Sequence, residues 1–141
     1  MMGMAPTPGD VEFKDNFEAG NVPPSGFHHR DHLRLVFVYL CESDVETANL
    51  RMRVALKKFL KDNDVPPEKY HETLTCSWVQ AVRHFMEKAE SAASFEEFLA
   101  ADDRLLNTDI MLSHYKRETL FSDKARREFV SPDVQVIPQH R

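Results

Sequence analysis

Long hydrophobic runs are missing from this sequence. The longest, Leu35-Val36-Phe37-Val38-Tyr39-Leu40-Cys41, falls well short of the roughly 18–20 apolar residues with which a helix spans a bilayer. The opening MMGMAPTPGD carries neither a basic stretch nor an apolar one, so it does not read as a secretory signal. Cysteine is scarce. Cys41 and Cys76 lie in apolar stretches, no C-x-x-C pair exists, and both read as buried thiols of a reducing compartment. Excess positive charge is lacking too: 18 Lys+Arg against 23 Asp+Glu leave a formal net charge of −5. That argues against nucleic acid, whose backbone calls for a basic footprint. These absences together predict a soluble cytoplasmic protein that uses neither a membrane nor a nucleic acid as partner.

Glycine is rare, and it concentrates with proline at the start. Residues 1–26 hold the glycines and four of the eight prolines, a composition that disfavours a regular helix or a central strand. They are expected to form an extended, partly mobile arm, with Phe13, Phe17 and Val22 as anchors. Residues 27–133 predict one all-α domain, a small bundle of three main helices plus short C-terminal helices, and residues 134–141 an irregular tail.

The first main helix is expected over 28–42, with Leu33, Val36, Phe37 and Leu40 at helical spacing. Ser43 followed by Glu46 suggests a capping box opening the second, whose stripe is Val45, Ala48, Met52, Ala55, Leu56 and Phe59. Asp62-Asn63-Asp64 ends it, and Pro66 or Pro67 suits the first turn of the third. Leu74, Trp78, Ala81, Val82 and Phe85 share one face there. Ser94 with Glu97 opens a short helix, and further pieces are expected over 109–115 and 123–129.

Polar groups that fall on these apolar faces mark the candidate chemistry. Successive helical residues turn by about 100°, which puts His29 on the apolar face of the first helix and His32 about 60° beside it. The same geometry puts His71 on the buried face of the third helix, Thr75 one turn on, and Glu72 at the edge of that face or outside it. Helices joined by short loops pack up-down-up, so the first and third share one end of the bundle. His29, His32 and His71 would then converge as ligands of a divalent transition metal (zinc, iron, copper or nickel), with Glu72 as fourth ligand or general base. Asp31 would orient a ligand imidazole from behind. Arg126 or Arg127 would hold a substrate carboxylate or phosphate bidentately, beside Trp78 and Thr75.

The segments FHHRDHLRLVFVYL, YHETLT and SDKARREFVSPD resemble, in this order, a family of small uncharacterised bacterial proteins. That family is marked by F-x-H-x-D-H-[LV], Y-H-E-T and A-R-R-x-F-V-x-P-D. The resemblance runs over roughly residues 17–133 and maps onto Phe27, His29, Asp31 and His32, then Tyr70, His71, Glu72 and Thr73, then Ala125 to Asp133. It implies that His29 and His32, rather than His28, are the working pair, and it implies no reaction.

Three readings follow. The first is a metal-dependent enzyme acting on a small organic molecule. The second is a metal-free enzyme in which His71 is the general acid/base and Glu72 its neighbour. The third is a non-enzymatic ligand-binding bundle or partner subunit, whose sign is an exposed apolar patch or a homodimer.

Overall fold

The computed structural model describes residues 3–141. The chain is all-α, and its main elements are α1 (Pro8–Glu18), α2 (His29–Glu42), α3 (Val45–Asp62) and α4 (Glu72–Ala89). Shorter helices follow: α5 (Phe95–Ala101), α6 (Arg117–Leu120) and α7 (Asp123–Arg127), with 3₁₀ turns between α5 and α6. The only strand pairing among the described residues is a two-residue parallel one, Gly3–Met4 beside Ser91–Ala92. Among the described residues no helix is long and apolar enough to cross a membrane.

α2 is the axis of the molecule. Leu35 through Leu40 are all buried, which covers the full circumference of a helix. A helix apolar all round has to be enclosed, and α1, α3, α4 and α5 all pack against it. α3 and α4 show the usual one-sided pattern. α3 buries Ala48, Met52, Ala55 and Phe59, and α4 buries Trp78, Val79, Ala81, Val82 and Met86.

The N-terminal segment departs from the expected extended arm, of which residues 1 and 2 lie outside the described residues. Thr7 and Asp10 form a capping box: Asp10 N–H donates to Thr7 Oγ1 and Thr7 N–H to Asp10 Oδ2. Pro8 sits in the first turn, where its missing N–H costs nothing. α1 then buries Phe17, 2% exposed, against Phe27 and Phe59 at centroid distances of 4.5 and 4.9 Å. The core thus begins before residue 27 and also takes in Ile137 of the irregular tail.

Two helix starts also differ from expectation. Asp44, rather than Ser43, caps α3 by accepting from Thr47 N–H, while Ser43 Oγ donates to Tyr39 O at the end of α2. Pro67 opens a 3₁₀ turn, Pro67–Lys69, and α4 begins only at Glu72 with His71 as its cap. The proline pair stops one helix without starting the next, because the residue before a proline is pushed into extended backbone.

Candidate functional site

The starts of α2 and α4 lie at one end of the bundle, and their histidines line a common cavity of about 360 Å³ together with Phe27, Thr75 and Trp78. The convergence of His29, His32 and His71 expected from connectivity is therefore present. What each imidazole does there differs.

His29 stands edge-on to Trp78, ring centroids 4.6 Å apart, and its Nε2–H donates to Leu105 O at 2.8 Å. A carbonyl only accepts, so Nε2 carries a proton in this contact. His32 lies nearly parallel to His29 at a centroid distance of 6.4 Å. Its Nδ1 is shut off from solvent and has no hydrogen-bond partner. Burial, reinforced by the neighbouring His29, pushes the His32 pKa down to about 4, so the ring is neutral at neutral pH. Asn49 Oδ1 and Arg83 Nε are also buried without a hydrogen bond, but neither side chain borders this cavity.

His71 is occupied at both nitrogens. Its backbone is extended at φ −128°, ψ 103°, the geometry of a capping residue. Nδ1 accepts from Leu74 N–H at 3.1 Å and Nε2–H donates to Leu120 O at 2.7 Å. Thr75 Oγ1–H donates to the His71 carbonyl at 2.8 Å. Burial lowers the His71 pKa, Arg126 pushes it the same way, and the Leu120 carbonyl opposes both. In this conformation His71 has no free lone pair for a metal or a proton, which corrects its expected role as ligand and acid/base.

Glu72 points elsewhere. Next to an extended cap residue it leaves the histidine cavity and lines a larger one of about 1010 Å³, which Arg126 and Arg127 also border. Its carboxylate accepts from Arg53 Nε at 3.0 Å and Nη2 at 2.5 Å, from Tyr70 O–H at 2.6 Å and from Cys76 Sγ at 3.4 Å. The Arg53 bonds outweigh burial and, with Tyr70 and Cys76, hold the carboxyl at about 2. So weak a base does not abstract protons at neutral pH, and the expected role of Glu72 as general base or fourth ligand gives way to that of an ion-pair anchor. Cys76 is no nucleophile either: burial first, then Glu72, pushes its thiol up to about 12.

Asp31 accepts from His28 N–H at 3.0 Å and so caps α2 rather than orienting an imidazole. Among the described residues no group of three or more His, Cys, Asp or Glu side chains is placed to hold a metal ion. The four expected ligands split between two cavities, with His71 already engaged.

Sequence reasoning overlooked Arg53, Lys57 and Lys61, which border the larger cavity. Their i, i+4, i+8 spacing on α3 was the available signal, since such residues stack along one face. Tyr70 and Leu60 border both cavities and form the wall between them. No protein family, curated protein or solved structure matches the chain.

Proposed function

We propose that the protein binds a small organic molecule in the imidazole-lined cavity between α2, α3 and α4. Its apolar body packs on Phe27 and Trp78, and its polar group meets His32. The observation that carries this reading is the buried His32 Nδ1 with no partner. Such an atom costs a fold roughly 1–3 kcal/mol, and a native chain that keeps one beside a cavity has a use for it. At a pKa of about 4 His32 is a poor proton acceptor at neutral pH, so recognition rather than proton abstraction is its part. The resemblance that singles out His29 and His32 supports the same pair.

A metal-dependent enzyme is the second reading, favoured by one contact. His29 donates Nε2–H to Leu105 O, the outer hydrogen bond by which a metal-ligating imidazole is oriented. His29 and His32 would offer two imidazole nitrogens to zinc, iron, copper or nickel, leaving further positions for a substrate.

Long-range ¹⁵N spectra of the histidine rings test both. Under the first reading, titration with indole, phenol or benzamide moves the His32 ring nitrogens saturably, and His32→Leu abolishes the binding. Under the second, Zn²⁺ or Ni²⁺ moves both rings and raises the melting temperature, and His29→Ala removes that rise. If neither the aromatic probes nor the metals perturb His32, the site is not where binding occurs.

A further inference from the structure

We infer that the larger cavity, separated from the imidazoles by Tyr70 and Leu60, is a second binding site that takes an organic anion, a carboxylate or phosphate on an apolar body. Its volume of about 1010 Å³ lies at the upper end of what small-molecule sites occupy. Four cations border it from two elements, Lys57 and Lys61 on α3 and Arg126 and Arg127 on α7.

Among the described residues none of these four stands in an ion pair. Glu68, Asp123 and Glu128 border the cavity as well, yet none comes within ion-pair distance of the four. Arg53, the fifth cation there, is already neutralised by its two-pronged contact with Glu72.

The remaining walls say what the rest of the ligand is. Phe129 and the Tyr70 ring supply apolar surface. Tyr70 is held in place by its bond to Glu72, and the Lys57 ammonium lies 5.0 Å from the ring centroid. A guanidinium can hold two oxygens of a carboxylate or phosphate at once, while the lysines act as point charges. A charged head against the arginines leaves the apolar body to Tyr70 and Phe129.

The test is an amide-resolved titration of the full chain with phenyl phosphate, benzoate, inorganic phosphate and benzyl alcohol. At least one of the two organic anions should shift Tyr70, Glu72, Arg126, Arg127 and Phe129 saturably, and added salt should weaken the binding. The double variant Arg126→Gln/Arg127→Gln should weaken it about tenfold or more with an unchanged melting temperature, and Lys57→Gln/Lys61→Gln should weaken it too. Preference for phenyl phosphate or for benzoate tells which head group the site takes. The inference falls if neither organic anion saturates, if benzyl alcohol binds as well as they do, or if inorganic phosphate alone binds equally. It also falls if both double variants bind like the wild type. Shifts confined to the histidine cavity would overturn it while leaving the imidazole reading intact.

Discussion

Two imidazoles that line one cavity play opposite parts, and stability measurements separate them. His71 bonds at both nitrogens and is 8% exposed, so His71→Ala leaves a cavity, a bare Leu120 carbonyl and an uncapped helix. It should lose about 1–3 kcal/mol, with or without added metal. His32→Leu removes an unpaired buried nitrogen and should be at least as stable as the wild type. The pH dependence carries the same signature. The folded His32 pKa of about 4 lies below the ordinary 6.5, so the unfolded chain binds the proton more tightly. The stability from keeping His32 neutral is complete above pH 6.5, falls as pH drops from 6.5 to 4, and levels off below 4. Urea unfolding across that range should show the fall in wild type and a shallower one in His32→Leu. An equal slope in both would mean that His32 titrates normally. Which histidines gather was legible from helical geometry alone. Which nitrogens are already occupied was not, because the acceptors Leu105 O and Leu120 O are backbone carbonyls 76 and 49 residues away, in a 3₁₀ turn and at the end of the short α6.

Among the elements, α1 is the one that composition concealed. Thr7 and Asp10 spell a capping box in the sequence, but the surrounding glycines and prolines outweighed it, although Pro8 falls where a helix tolerates it best. The element is also fastened from outside. Asp10 is 3% exposed and accepts from Thr7 N–H, Phe95 N–H and Arg34 Nε. Burial alone would raise its pKa; the amides of Thr7 and Phe95 and the Arg34 guanidinium outweigh it and lower the pKa. Asp10→Ala leaves the half-buried Arg34 and the buried Phe95 amide without their acceptor and should destabilise by about 2–3 kcal/mol. Thr7→Ala, which removes only a cap, should lose about 1 kcal/mol. Equal losses in chemical denaturation would mean that Asp10 acts as a local cap and nothing more. By contrast, α2 and α3 were legible to within two residues and α4 in its apolar face but not in its start, since an apolar stripe repeats over many turns while a cap is one residue deep.

At the scale of the molecule, segments on both sides of residues 27–133 pack onto the bundle. α1 covers α2 and α3, Ile137 enters the core from the tail, and Val45 N–H donates to Arg141 O. A fragment of residues 27–133 would uncover Phe59, Tyr39 and Arg34, and is expected to keep its helical far-UV signal while losing near-UV signal and a cooperative thermal transition. A sharp, two-state melt of that fragment would show that the ends are accessories. The all-α class itself was plain from the apolar spacing, whereas the tail's packing rests on single contacts that no periodicity announces.

The fastening of α1 also has a consequence for the order of events on the ribosome. The acceptor Asp10 and the donor Phe95 N–H are 85 residues apart. At about 5–20 residues per second, the second is made roughly 4–17 s after the first. Within that interval α1 can already settle on α2 and α3, with Phe17 against Phe27 and Phe59, but Asp10 lacks the Phe95 amide. The tie between α1 and the start of α5 is therefore closed only after α2, α3 and α4 have all been made.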